Sequence, residues 1–282
     1  MSFIHEETDY IGYDGLKMFM HLWKPENDKP RALLITIHGL GSHGGDMATI
    51  GEYLGERGIA VFAPDMRGFG HFSGLKGHVM NHDEYIEDLQ NIVMQVKDRY
   101  INKITFLMGA SLGGIIVIRY IITYPREVDG AILQCPGVSQ KLPISLPVRI
   151  AGEILSIFNV KKFFSSGVPL EDGCRDPEVV KRHKEDPLRV EEVTARFGVS
   201  GLKSAKKGFD AAELIAIPIL VQQAGDDNFV SVEKNKEFFD RIASKDKEWK
   251  LYEGLYHELH EEPEKERVLE DMYRWIDKRL PT

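Results

Sequence analysis

The sequence predicts an α/β fold: a mostly parallel central sheet flanked by helices, with a helical cap inserted into it. Three observations carry this expectation. Short apolar runs alternate with helical patterns, the runs are apolar on consecutive positions, and one long stretch breaks the alternation. Ala32–Ile37, Ile59–Phe62, Ile104–Met108, Ala131–Cys135 and Ile217–Gln223 are short, rich in branched side chains and bounded by Gly, Pro or Asp, as strands are. Unbroken apolarity means that both faces are covered, the condition of a parallel sheet between helix layers. Between these runs, Asp83 to Arg99 sets Ile86, Leu89, Ile92, Val93 and Val96 on one helical face, with Asn81 to Asp83 offering a cap. Glu264 to Leu280 repeats the pattern through Val268, Leu269, Met272, Trp275 and Ile276, as a helix docking on the sheet after its last strand would.

From about Gly137 to Lys207 no convincing buried strand appears. A proline-punctuated apolar helix pattern gives way to a charged region containing Asp176-Pro177 and Asp186-Pro187. This assigns 137–207 to an inserted helical cap and 1–136 with 208–282 to the core, a division that suits a chain of 282 residues better than two independent domains. The most apolar long segment, Leu142 to Phe158, contains two prolines, Arg149 and Glu153, and falls short of the roughly 20 clean apolar residues of a spanning helix. Lys and Arg number 36 against 44 Asp and Glu, a net charge of -8, so nucleic acid is not expected as a partner. Cys135 and Cys174 show no metal-ligand spacing and are too few for a disulfide framework. The N-terminus lacks the basic start and apolar stretch of a secretory signal, and a cytoplasmic location is expected.

The strongest chemical signal is Gly109-Ala110-Ser111-Leu112-Gly113, between the strand Ile104–Met108 and the apolar helical run Ile115–Tyr124. A serine hydroxyl is a poor nucleophile. It gains access when it protrudes from a sharp strand-to-helix turn whose small flanking residues let backbones crowd, with the helix N-terminus facing the developing negative charge. Ser111 is therefore the expected nucleophile and Gly109 and Gly113 the glycines of its elbow. His38-Gly39-Leu40-Gly41 ends the strand Ala32–Ile37. In an elbow of this type the oxyanion is held by one main-chain N–H from that loop and one from the residue after the nucleophile, so Leu40 and Leu112 are the expected donors. His38, at the end of a buried strand, is read as a structural hydrogen-bonding group.

The base belongs in a loop after the last strand, and His257 fits, between the strand-like Glu248–Tyr252 and the terminal helix. His260 lies in an acidic stretch with Glu258, Glu261 and Glu262 and reads as the solvated start of that helix. The acid that orients the imidazole lies in Gly225-Asp226-Asp227-Asn228, just past the strand Ile217–Gln223; position alone prefers neither aspartate. No spaced His, Asp or Glu cluster suggests a metal, and serine acyl transfer needs neither a metal nor an organic cofactor.

With these motifs in place the chain resembles the monoacylglycerol lipase and lysophospholipase-like branch of the α/β-hydrolases, over nearly its whole length. The likeness rests on Asp14-Gly15-Leu16 through Trp23-Lys24-Pro25, on His38 to His43, and on Asp65-Met66-Arg67-Gly68-Phe69-Gly70 followed by Lys76-Gly77-His78-Val79 and Asp83-Glu84-Tyr85. The family's Gly-x-Asp-x-x-Val pattern is met by Gly225, Asp227 and Val230, which makes Asp227 the acid that the resemblance implies. Ala110 and Leu112 stand where the family usually has His and Met, and Phe69 where His is common; these departures bear on pocket shape and substrate range. The resemblance implies hydrolysis of monoacylglycerols to glycerol and fatty acid through an acyl-enzyme. Lysophospholipase or general carboxylesterase activity is the alternative, and a proline-type aminopeptidase, with Glu171 or Asp172 anchoring the substrate amine, or a non-catalytic binding module is a remoter one. It also implies a lipid-like ester substrate and a cap whose apolar residues Leu146, Val148, Ile150, Ile154, Leu155, Ile157 and Phe158 admit an acyl chain and touch membrane or micelle transiently, making the location cytoplasmic or peripheral at a membrane.

Overall fold

In the computed structural model, residues 2–139, 141, 145–167 and 169–281 are described. The strands are β1 (Phe3–Ile11), β2 (Lys17–Pro25), β3 (Ala32–Ile37), β4 (Ile59–Pro64), β5 (Thr105–Ala110), β6 (Gly130–Gln134), β7 (Phe163–Ser165), β8 (Glu192–Thr194), β9 (Ile219–Ala224) and β10 (Lys247–Tyr252). The helices are α1 (Ala48–Gly55), α2 (Asp83–Arg99), α3 (Leu112–Thr123), α4 (Leu146–Ile157), α5 (Pro177–Glu185), α6 (Ala195–Asp210), α7 (Val232–Arg241) and α8 (Lys265–Asp277). Eight strands form one sheet in the order β1-β2-β4-β3-β5-β6-β9-β10. Its pairs are parallel from β4 to β10, and β2 runs against both of its neighbours. The mostly parallel sheet is as expected.

Each central strand divides its side chains between two cores. Leu33, Ile35 and Ile37 of β3 enter one, with α2, α3 and α7, while Ala32 and Leu34 enter the other, with α1 and α8. β4 and β5 split in the same way, Phe62 and Leu107 to the first core and Val61 and Met108 to the second. This two-sided burial is why the strands read as unbroken apolar runs. From β3 the chain crosses to β4 on one side, and the next strand, β5, lies on the other. Loops leaving the carboxyl ends of strands diverge at such a switch point, and a crevice opens there.

Between β6 and β9 the chain leaves the sheet. The excursion carries α4, β7, α5, β8 and α6, with α4 against α6 and α6 against α3. Within 137–207, where no buried strand was expected, the short and partly exposed strands β7 and β8 pair antiparallel over Phe163–Thr194, Phe164–Val193 and Ser165–Glu192. Three residues are too few to establish an alternation, so these strands left no pattern to read. Leu142, part of the apolar segment singled out above, lies outside the described residues. No helix among the described residues is long and apolar enough to cross a membrane.

Candidate active site

β5 ends in a turn that places Ser111 at φ 53°, ψ -112°. Positive φ is costly for a residue with a Cβ and persists only where its surroundings enforce it. Here the Ser111 N–H donates to the Gln134 carbonyl at 3.0 Å, and the Gly137 N–H donates to the Ser111 carbonyl at 2.9 Å. The crossing of α3 over the sheet is equally tight. A Cβ on Gly109 would lie 2.3 Å from the Gly113 carbonyl oxygen, and one on Gly113 would lie 2.0 Å from that of Ile37. Only hydrogen fits at either position, which explains the two glycines flanking the serine.

His257 lies between β10 and α8, 7% exposed, and Asp227 lies past β9, 1% exposed. The His257 Nδ1 is 3.0 and 2.8 Å from the two Asp227 carboxylate oxygens. A carboxylate only accepts, so Nδ1 carries the proton and Nε2 is the basic nitrogen. Asp227 Oδ1 also accepts the Phe229 and Val230 N–H groups at 2.9 and 3.0 Å, and Oδ2 accepts Gln223 Nε2 at 3.1 Å. Burial alone would raise the Asp227 pKa, but the charge and hydrogen bond of His257 and the two main-chain N–H donors outweigh it, and the carboxyl lies below its usual value. Asp226 is exposed. The structure thus separates the two aspartates that sequence position could not.

Ser111 and His257 line one cavity of about 1310 Å³, together with Leu40 and Leu112. The N–H of a first helical residue has no acceptor within its own helix, so at Leu112 that group is available to an anion. His38 has both ring nitrogens engaged by main chain: Nδ1–H donates to the Gly39 carbonyl at 2.8 Å, and Nε2 accepts the Met66 N–H at 3.0 Å. His260 also lines the cavity, with Nδ1 held to Gln134 Oε1 at 3.0 Å.

The cavity wall pairs apolar side chains, among them Ile115, Leu155, Val193, Phe197 and Phe209, with a connected polar group. In that group Asp46 pairs with Arg189 at 2.5 Å and accepts the Ser42 hydroxyl at 2.6 Å, while Glu258 lies 3.7 Å from Arg189 and 3.4 Å from His183. Burial pushes the Glu258 carboxyl up to about 7 despite Arg189 beside it. The acidic stretch around His260 is not solvated as the sequence suggested. Glu261 and Glu262 are buried, paired with Arg182 at 3.0 Å and Arg175 at 2.5 Å. Those arginines come from the excursion, too far along the chain for sequence to reveal the pairing. Gln223, Phe229, whose ring meets His257 edge-on at 4.9 Å, and the Asp46–Arg189 pair were likewise not anticipated. Of the groups proposed to anchor an amine, Glu171 is exposed and paired with Lys184, and Asp172 is exposed.

An eight-stranded, mostly parallel sheet with a serine on its strand-to-helix elbow and a buried His–Asp pair at the same edge defines an α/β-hydrolase. Within that class, the family model described as serine aminopeptidase, S33, matches residues 28–264, and the chain belongs to this family. It is 31% identical to a monoacylglycerol lipase of Mycolicibacterium smegmatis over 98% of both chains. It is 28% identical to a phospholipase of Bacillus subtilis over 91% of this chain and 99% of that one. Among solved structures, the monoacylglycerol lipase of Paleococcus ferrophilus superposes with a TM-score of 0.82 at 26% identity, covering 99% of each chain. The resemblance read from the motifs is borne out.

Proposed function

We propose that the protein is a serine hydrolase that cleaves monoacylglycerols. The observation that carries this reading is the elbow serine and the buried His257–Asp227 pair opening on a large cavity that is apolar along much of its wall and polar around Asp46, Arg189 and Glu258. Such a lining suits an ester with one acyl chain and a hydroxylated head. The full-length likeness to a monoacylglycerol lipase supports the choice of substrate.

In this reading Ser111 Oγ attacks the ester carbonyl while His257 Nε2 takes its proton, and Asp227 holds the imidazole in the required tautomer and stabilises the imidazolium. The Leu40 and Leu112 N–H groups receive the negative charge on the carbonyl oxygen. The imidazolium returns the proton to the departing glycerol oxygen. Water, deprotonated by His257, then releases the fatty acid and restores Ser111. None of these steps uses a cofactor.

Residues 137–207 act as the cap in this proposal. Leu155 of α4 lines the cavity, Val148 lies at its rim and is largely exposed, and Leu146, Ile150, Ile154 and Phe158, which follow one another at helical spacing, are exposed, as is Ile157. That outer stripe suits transient contact with a lipid surface.

The test is fatty-acid release from a medium-chain monoacylglycerol by the parent and Ser111→Ala, with lysophospholipid and a prolyl amide in parallel. Monoacylglycerol turnover lost in the variant is expected. Turnover confined to lysophospholipid, the reading that likeness to a phospholipase favours, would move the substrate and keep the site. Activity surviving in Ser111→Ala would overturn both.

A further inference from the structure

The loop after β3 brings Leu40 to the cavity and then carries His43 into a separate cluster. A ring nitrogen of His21 on β2, one of His43, and a carboxylate oxygen of Asp65, just past β4, lie within 4.8 Å of one another, and all three residues are buried. Ligands of a tetrahedral ion at bond lengths of about 2.0–2.1 Å stand about 3.4 Å apart, so a shift of about an ångström closes the set. The three residues come from separate segments, so no spacing in the sequence announces them.

Their surroundings present them as ligands. His43 Nε2–H donates to Asp186 Oδ2 at 2.8 Å, so Nδ1 carries the lone pair; it caps the following turn by accepting the Gly45 N–H at 3.1 Å, a bond that an arriving metal ion would displace. This carboxylate–histidine arrangement is the usual outer support of a metal-bound imidazole. With His21 Nδ1–H donating to His5 Nε2, 3.0 Å away, His21 Nε2 keeps its lone pair for a ligand. Its ring is held between the stacked His5, at 5.2 Å, and the edge-on Phe19, at 4.9 Å. Asp65 is 1% exposed; Oδ1 accepts the Gly44 N–H and Oδ2 the His71 N–H, each at 2.7 Å, and its only ion-pair partner among the described residues is His71, at 2.8 Å. A buried carboxylate is ordinarily paired with a cation or bound to a metal. The His71 side chain, 42% exposed, marks the way in from solvent.

We propose that His21, His43 and Asp65 bind a divalent transition metal, Zn2+ foremost, with His71 or water as fourth ligand. Two imidazoles and one carboxylate suit Zn2+, whereas Ca2+ and Mg2+ prefer all-oxygen sets. The ion would tie the loop carrying Leu40 to β2 and β4. It takes no part in acyl transfer, so this site stands or falls independently of the function proposed above.

Protein stripped with a chelator is titrated with ZnCl2 by calorimetry, melted with and without Zn2+, and loaded with Co2+ for its visible spectrum. We expect one Zn2+ per chain, a melting temperature raised by roughly 5 °C at a hundredfold excess over Kd, and the intense bands of tetrahedral Co2+. All three should vanish in His21→Gln, and Asp186→Asn should weaken binding about tenfold or more. Labelling of His21→Gln by a fluorophosphonate shows that it has folded; if it has not, His43→Gln takes its place. No binding to the parent, or equal binding to His21→Gln, would overturn the proposal. The latter result would point instead to His43, Asp46 and Asp186, a neighbouring group that shares His43.

Discussion

Replacing Asp227 with asparagine changes one heavy atom and one charge, and the structure says what each is worth. Asp227 Oδ1 accepts the Phe229 and Val230 N–H groups, and an amide oxygen placed there keeps both bonds. The amide nitrogen then falls at the Oδ2 position, facing Gln223 Nε2 and His257 Nδ1–H, two donors. Gln223 cannot turn to offer its oxygen without breaking the bond that Oε1 accepts from Asn235 Nδ2 at 2.8 Å. One buried donor is left unmade, at a cost of about 1–3 kcal/mol in stability. The remaining oxygen, 3.0 Å from His257 Nδ1, already accepts two N–H groups, so the amide nitrogen opposite Nδ1 favours the tautomer with its proton on Nε2, where it can no longer accept one from Ser111. Loss of the correct tautomer in a triad of this kind lowers turnover by about 10⁴, or about 5.4 kcal/mol in the barrier. The assay is hydrolysis of a short soluble p-nitrophenyl ester, with kcat and KM taken separately, alongside a thermal melt. A fall in kcat of about four orders with KM nearly unchanged and a modestly lowered melting temperature is expected. A loss of less than tenfold in folded protein would refute the assignment of Asp227 to His257.

Three further perturbations test other parts of the argument. Gly113→Ala places a Cβ 2.0 Å from the Ile37 carbonyl oxygen, so α3 must shift from β3; we expect a loss above about 2 kcal/mol and greatly slowed fluorophosphonate labelling of Ser111, and a parent-like melt with parent-like labelling would contradict the crossing described. Ile154→Glu combined with Phe158→Glu, at exposed positions of the α4 stripe, should slow hydrolysis of dispersed monoacylglycerol while sparing short soluble esters, and equal loss on both would remove the lipid-facing role. Burial lowers the His38 pKa to about 4 from its usual 6.5, against a smaller opposing effect of its bond to Gly39. The unfolded chain therefore binds the proton first, and His38 by itself should lower stability by about 3 kcal/mol as pH drops from 6.5 to 4, with His78, His82 and His183, each also lowered to about 4 by burial, adding to the fall; an NMR titration isolates the share of His38, and a value above pH 6 would sink the explanation.

How much of this was legible in the sequence followed the range of the physics involved. Strands buried on both faces and helices with one apolar stripe leave short-range patterns, so β3 begins and ends where it was expected and α2 spans the expected Asp83–Arg99. The elbow was legible because its glycines answer to contacts made within a few residues and against the adjoining strand. Asp227 could be separated from Asp226 only by family pattern, since what distinguishes them is the burial of one against a histidine thirty positions on. The excursion between β6 and β9 was the least legible part. Arg182 and Arg175 neutralise Glu261 and Glu262 from far along the chain, and a run of acids gives no sign of whether such partners exist.

That same long-range pairing bears on how the two parts of the molecule are joined. Arg189 meets Asp46, His43 meets Asp186, and Arg175 and Arg182 meet Glu262 and Glu261. Each contact links the excursion to the loop after β3 or to the segment after His257, the two loops that also carry Leu40 and the proposed base. Asp46, Arg189, Glu261 and Glu262 have buried side chains, and removing the partner of such a group leaves an uncompensated charge, at a cost of about 3–5 kcal/mol where both partners are buried, as in Asp46–Arg189, and less where the arginine is half-exposed, as Arg182 is. On this side, then, the excursion is bound tightly to the loops that present the proposed chemistry. The α4 side is held differently: none of its residues is buried, and its outer stripe is apolar. Charge pairs fix orientation more strictly than apolar contact does, so in the proposed role of the excursion as a cap α4 is the part that yields to an acyl chain while Arg189 and its neighbours hold the polar wall beside His257 in place.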